Sequence, residues 1–293
     1  MASMQKIKCP QSQETCGWSS IFPVEVKTPI QSLIFIKRMM AISVSCITYL
    51  RGIFPEDAYR MRYLEEIGIK ILREDSSYPQ ASKLIKWMKG CFDALEKKYL
   101  QMVILGVYKN TDDPSSLIES YQFKFNYTTK GPQMDIVSDR KHLLKNCTMD
   151  DIKSASISLI RKIFFLMHNL GPLPSDVSLT MKLFYYDAVT PVMYQPPGFK
   201  EGENHTILFE GNPVQVKLAE VSTSFHLIKV RVTTEQERME NLQHRSVLKE
   251  EKENAEPQKV YSVHGNTAAR KPEVKTRKPK VNRTSRKRRQ KRL

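Results

Sequence analysis

No stretch of this sequence reaches the roughly 20 consecutive apolar residues that a bilayer-spanning helix needs. Runs such as Met102–Val107 are far shorter, so no membrane span or membrane partner is expected. The opening residues Met1-Ala2-Ser3-Met4-Gln5-Lys6 hold no apolar h-region, which argues against a secretory signal. Ala2 excludes the usual myristoylation start. Without a leader, the sequons at Asn126, Asn146, Asn204 and Asn282 are chance matches. No Cys-x-x-Cys pair occurs among Cys9, Cys16, Cys46, Cys91 and Cys147, so neither a zinc ribbon nor a disulfide framework is expected. Cys46 and Cys91 sit among apolar residues and read as small core hydrophobes.

Chemistry-bearing motifs are missing too. There is no G-x-G-x-x-G, Walker loop, G-x-S-x-G or H-E-x-x-H. None of His142, His168, His205, His226, His244 and His264 is spaced with a second His or Cys as a ligand pair. The adjacent acids Glu65-Glu66 and Asp112-Asp113 point apart on any helix or strand and read as solvated surface charge. No catalytic residue, cofactor or metal site is expected, and an enzyme is disfavoured.

What is present is lopsided in charge. The 293 residues carry a net charge of +16, and 270–293 hold 13 basic residues against one acid, Glu273. That stretch supplies 12 of the 16 net charges, so the basic character belongs to the tail and not to the fold. Within it, Arg286, Lys287, Arg288, Arg289, Lys291 and Arg292 read as a nuclear import signal or a non-specific grip on nucleic-acid phosphates.

Periodicity gives three helices. The first starts at Thr28, with Pro29 at N1 and Gln31 completing a capping box. Its apolar residues wrap most of the surface, so it is expected to be central and buried, ending at Gly52 and Pro55. The second spans about 79–98, and the third runs from about Thr148, with Asp150 and Asp151 in its first turn, to Leu170. Strands are expected at 68–72, 100–108, 121–127, 177–185 and 225–232, with a hairpin about Gly211-Asn212-Pro213. The alternating aromatics Tyr121, Phe123, Phe125 and Tyr127 could be a base-stacking platform, but Lys124 falls on the opposite face, which favours a core strand. Residues 1–27 read as a flexible arm, 28–233 as the folded domain, and 234–293 as a disordered tail with a basic end. The order of elements gives an α+β class: a mainly antiparallel sheet packed on three helices.

The turn closing the first helix, Ser45-Cys46-Ile47-Thr48-Tyr49-Leu50-Arg51-Gly52-Ile53-Phe54-Pro55, carries a more specific signal. It resembles the element of HORMA-domain proteins in which an apolar helix runs into an aromatic-Leu-Arg-Gly-Ile-aromatic-Pro turn. Further matches keep the same order: Leu72-Arg73-Glu74-Asp75, Trp87-Met88-Lys89-Gly90-Cys91, Tyr121-Gln122-Phe123-Lys124-Phe125, Leu159-Ile160-Arg161-Lys162, Met181 to Asp187, and Tyr194-Gln195-Pro196-Pro197-Gly198-Phe199. The resemblance covers about residues 28–241. It is strongest to the vertebrate meiotic chromosome-axis members, through 177–241 to the first of two paralogues.

The resemblance implies a peptide clasp. A C-terminal safety belt, here about 188–232, closes over an extended closure-motif peptide that adds a strand to the sheet edge. The groove residues it implies are Leu179, Met181, Leu183, Tyr185, Phe225 and Leu227. The C-terminal Lys291-Arg292-Leu293 does not look like a closure motif. The nearest candidate lies at Ala255–Tyr261, with Glu256, Pro257, Lys259, Val260 and Tyr261 as its side chains, resembling the motif of the second paralogue. Implied partners are closure motifs of chromosome-axis or cohesin-associated proteins, other HORMA-domain copies, an AAA+ ATPase that reopens the belt, and chromatin or DNA through the tail. The implied setting is the nucleus and the meiotic chromosome axis, in synapsis, double-strand-break recombination and checkpoint surveillance. Two alternatives stand beside it: a nuclear nucleic-acid-binding protein acting through its tail, and a HORMA adaptor of the mitotic checkpoint or repair.

Overall fold

In the computed structural model, the residues described are 17–109, 113, 116–128, 147–202, 209 and 212–239. The chain divides into two compact units, Met1–Glu250 and Glu251–Leu293, and every described residue belongs to the first.

Helix α1 (Pro29–Leu50) begins as its sequence dictates. The Thr28 side chain accepts from the Gln31 amide while the Gln31 side chain accepts from the Thr28 amide, satisfying two donors that a helix start leaves free. Phe35, Ile36, Met39, Met40 and Ile47 are fully buried. Among the described residues, α1 is the one helix long and apolar enough to cross a bilayer, which corrects the expectation that no segment qualifies. Counting unbroken apolar runs missed it because Lys37 and Arg38 interrupt the run. The burial of its apolar side chains inside the fold makes it a core helix. Gly52 ends it at φ 66°, a conformation that favours glycine.

The hairpin β1 (Tyr59–Leu64) and β2 (Ile67–Leu72) follows, paired from Tyr59↔Leu72 to Leu64↔Ile67. Only its second strand was expected. The exposed pair Glu65-Glu66 makes the turn, with Glu65 at φ 52°, and no glycine or asparagine advertises it. Helix α2 (Pro79–Glu96) buries Leu84, Met88, Cys91 and Leu95. Then come β3 (Leu100–Tyr108), β4 (Leu117–Tyr127), helix α3 (Met149–Asn169), β5 (Ser178–Tyr185), β6 (Pro213–Ser222) and β7 (His226–Glu235). A capping box between Thr148 and Asp151 opens α3.

The five long strands form one antiparallel sheet in the order β5-β3-β4-β7-β6. Tyr121, Phe123 and Phe125 are buried on the face packed against the helices, with Val103, Leu105, Val230 and Val232 beside them. The aromatic strand is core, and Lys124 on the opposite face is exposed. Cys46 and Cys91 are buried free thiols, and burial pushes the Cys46 thiol up to about 12.

Two boundaries differ from expectation. The arm expected over 1–27 is packed from Trp18 onward: Trp18, Ile21, Phe22 and Val26 are buried, and the rings of Trp18, Phe22 and Phe35 cluster. An aperiodic segment gives no pattern to read, yet two aromatic rings suffice to anchor it. The domain also continues past Thr233. Strand β7 runs to Glu235 and a 3-10 turn follows at Glu237–Met239. The hairpin expected about Gly211-Asn212-Pro213 involves Ile207, Leu208 and Gly211, which lie outside the described residues. Strand β6 starts at Pro213 and turns into β7 through Thr223-Ser224-Phe225, while Phe209 makes an isolated parallel bridge to Leu117. Cys9, Cys16 and Asp112, and the sequons at Asn146, Asn204 and Asn282, lie outside the described residues.

Candidate functional site

Strand β5 ends the sheet. It pairs with β3 from Leu100↔Tyr185 to Tyr108↔Ser178, and no other described strand lies on its far side. An antiparallel strand directs its backbone groups alternately to its two sides, so an edge strand offers a row of donors and acceptors to an incoming extended chain. Leu179, Met181, Leu183 and Tyr185 register with Val107, Leu105, Val103 and Leu100 and therefore share the helix-facing side. Met181 is buried with its sulfur 3.5 Å from the Cys91 thiol of α2. Leu179, Leu183 and Tyr185 are half-buried.

Phe225 and Leu227 stand elsewhere. Phe225 lies in the β6–β7 turn and Leu227 opposite Asn126, with β3 and β4 between them and β5. The six residues assigned to one groove thus divide into four on the free edge and two in the other half of the sheet. Strand order, which puts β7 inside the sheet, separates them.

The chain leaving β5 is strapped down at once. The Tyr186 amide donates to the Tyr99 carbonyl and the Tyr186 hydroxyl to the Phe125 carbonyl, both at 2.8 Å. The strap then docks on α2. Tyr194 donates to Asp93 at 2.6 Å, its ring sits 4.9 Å from that of Tyr99 and 5.6 Å from that of Tyr185, and the Lys97 ammonium lies 4.9 Å from its centroid. Hydrogen bonds from Lys97 and Tyr194 hold the Asp93 carboxyl below the usual carboxylate range. Burial, then the neighbouring Asp93, raises the Tyr194 hydroxyl.

Gly90 explains how the strap comes so close. A Cβ there would lie 2.4 Å from the Pro197 carbonyl oxygen and 2.8 Å from the Phe199 ring. Only a bare backbone admits the contact. Pro196 is buried in the same dock, and Gly198 turns the chain at φ 83°. By contrast Val189, Val192 and Met193 project into solvent at the start of the strap. The chain reaches the opposite edge of the sheet at β6, so the connection from β5 to β6 passes from one edge to the other.

Two polar clusters fix the remaining half. Ser32 of α1 lies 2.6 Å from both the Thr223 hydroxyl and His226 Nδ1, tying the β6–β7 turn to the central helix. Burial depresses His226 to about 4, with Lys98 adding to the effect, so the ring is neutral near pH 7. The second cluster centres on Glu119 of β4, which is fully buried and receives Arg51, Tyr121 and Arg238. Neither cluster was visible beforehand, since both join residues distant in sequence. The resemblance had singled out Arg51 and the Tyr194–Phe199 segment without indicating what they touch. Among the described residues no group of three or more His, Cys, Asp or Glu side chains could hold a metal ion. The closure-motif candidate Glu256, Pro257, Lys259, Val260 and Tyr261 and the basic run Arg286–Arg292 lie outside the described residues.

The HORMA domain family model matches residues 32–226, a span that takes in nearly all of the three helices, the free edge strand and the strapped crossing. The chain belongs to the HORMA domain family. Over 232 residues it is 57% identical to HORMA domain-containing protein 1 of Homo sapiens, covering 79% of this chain and 59% of that protein. The match to HORMA domain-containing protein 1 of Xenopus laevis is also 57%, over 233 residues, covering 80% and 60%. The chain thus spans about 60% of the length of these curated relatives. Among solved structures, C. elegans HTP-2 bound to HTP-3 closure motif 1 aligns with a TM-score of 0.65 at 20% identity, covering 79% of this chain and 97% of that one. C. elegans HTP-1 bound to the HIM-3 closure motif aligns at 0.63 and 19%, covering 74% and 95%. At that identity these likenesses speak for the fold.

Proposed function

We propose that this chain is a non-enzymatic, peptide-clasping adaptor. An extended closure-motif peptide adds to the free edge of β5, and the chain between β5 and β6 closes over it as a belt. The observation that carries this reading is that, among the described strands, β5 pairs on one side only, and that a crossing starts at the end of that same strand. Backbone hydrogen bonding supplies affinity in strand addition, while pockets for alternate side chains supply specificity. Leu179, Met181, Leu183 and Tyr185 line that edge. Two structures of similar fold hold closure motifs, which supports the reading.

The family resemblance carried by the sequence motifs supports a setting at the meiotic chromosome axis in the nucleus. There the chain would serve homologue synapsis, double-strand-break recombination and surveillance of unsynapsed chromosomes. Its partners would be axis or cohesin-associated proteins bearing closure motifs, further HORMA-domain copies and a belt-opening AAA+ ATPase. The basic run at 286–292 would serve import or hold chromatin.

The test is a titration of two probes onto residues 1–250. One is a labelled 253–263 peptide; the other is a set of short peptides selected on this unit from a display library. Binding of the tail peptide, weakened about tenfold or more by Val260→Asp because an unpaired charge meets an apolar edge, is expected. Failure of both probes contradicts the clasp.

A further inference from the structure

The clasp leaves one surface of the sheet unused, the face turned away from the helices. Register puts Lys124 of β4 directly opposite Lys229 of β7 there. In the next row along the strands, Arg231 of β7 stands directly opposite Lys217 of β6, and Lys182 of β5 belongs to the same row. Glu220 is the acid within these two rows, 3.0 Å from Lys229, and Glu235 lies near the end of β7. Lys124 and Lys217 are exposed.

Like charges facing each other across a strand pair destabilise a sheet. Here two such pairs sit side by side, so the face carries a concentrated positive field that the fold does not need. Beside it is an apolar step: Phe184, 38% exposed, registers with Met102, which registers with Lys124. Adjacent strands lie about 4.8 Å apart, and same-face neighbours along a strand about 7 Å apart. The cations and the apolar pair therefore fit within the footprint of one short extended peptide.

We propose that this outer face binds an acidic peptide segment of a partner protein. Its carboxylates would meet Lys124, Lys229, Arg231 and Lys217, and one aromatic or aliphatic side chain would rest on Phe184 and Met102. The phosphate backbone of a duplex would satisfy the cations but, with its bases stacked inside, has nothing to place on the apolar step, which favours a peptide over duplex nucleic acid. Charge complementarity of this kind sets partner choice and association rate.

The test uses the full chain and a fluorescein-labelled peptide of glutamates flanking a Leu-Phe pair. Because the 270–293 tail also attracts acids, binding is read at each site by lysine methylation footprinting. The peptide should protect Lys124, Lys217 and Lys229, and Lys124→Gln with Arg231→Gln should abolish that protection while melting no lower than the parent. Replacing Leu-Phe by Gly-Ser should weaken the footprint about tenfold. Protection confined to the tail, an unchanged footprint in the double variant, or equal binding of the Gly-Ser peptide would overturn the proposal. So would a short DNA duplex that protects these lysines where the peptide does not.

Discussion

Arg51 at the end of α1 and Glu119 on β4, 68 residues apart, form a two-pronged buried ion pair, with Nη2–Oε1 at 2.6 Å and Nε–Oε2 at 3.0 Å. Arg51 also donates to the Gly171 carbonyl at 2.7 Å. Arg238, just after β7, donates to Glu119 at 3.1 Å and to the Gly171 and Pro172 carbonyls. One carboxylate therefore joins the central helix, the sheet, the loop after α3 and the chain that leaves the domain. Burial and the adjacent Glu119 carboxylate drive the Tyr121 hydroxyl far above its ordinary value, so it donates to Glu119 as a neutral phenol.

Removing Arg51 strips the buried Glu119 carboxylate of its two-pronged partner and leaves it a single contact from Arg238 and the neutral Tyr121 hydroxyl. Arg51→Gln should destabilise the domain by about 3–5 kcal/mol, measured by urea unfolding. Arg51→Lys should not restore it, because an ammonium cannot reproduce the planar fork. Equal stability of parent and Arg51→Gln would show that the pair is not structural.

Gly90→Ala reverses the usual rule. Alanine inside a helix is normally worth about 1 kcal/mol more than glycine. Here the added methyl would lie 2.4 Å from the Pro197 carbonyl, so the strap must move off α2. Limited proteolysis should show new cleavage within 186–202, while α2 stays helical. A variant as resistant as the parent would mean that the strap yields without undocking.

The His226 environment makes stability depend on pH. Its folded value, about 4, lies below the ordinary 6.5, so the unfolded chain binds more protons between those values. The neutral ring's contribution is fully present above about 6.5 and falls away as pH drops toward 4. The loss should be up to roughly 3 kcal/mol. Denaturation midpoints from pH 7 to pH 4.5 should decline less in His226→Gln than in the parent. Parallel decline would remove His226 as the cause.

Local chemistry was readable where it is local. The Thr28-Gln31 box, the helix start at Thr148, the three apolar faces and the Tyr121–Phe125 alternation are each contained within one element, and each forms as read. Strand β1 was overlooked although Tyr59-Arg60-Met61-Arg62-Tyr63 alternates apolar and basic residues as a half-buried strand does; its turn through two glutamates carries no hairpin signal. Packing of Trp18 and Phe22 has no period to detect. The partners of Arg51, Gly90 and Ser32 arrive from 68, about 107 and about 191 residues away, so strand order and loop path decide them and no window of sequence contains them. Strand order likewise placed Phe225 and Leu227 away from the edge they were assigned to.

Hydrogen exchange over Ser178–Tyr185 tests the clasp most directly. The amides of residues 1–250 are followed with and without a bound 253–263 or library-selected peptide. A peptide pairing with the β5 edge should slow the outward-facing amides of Ser178–Tyr185 and those of the strap over 186–202, leaving the outer edge of β6 unchanged. Slowing along Pro213–Ser222 with β5 unaffected would contradict the clasp and move the binding edge to the other end of the sheet.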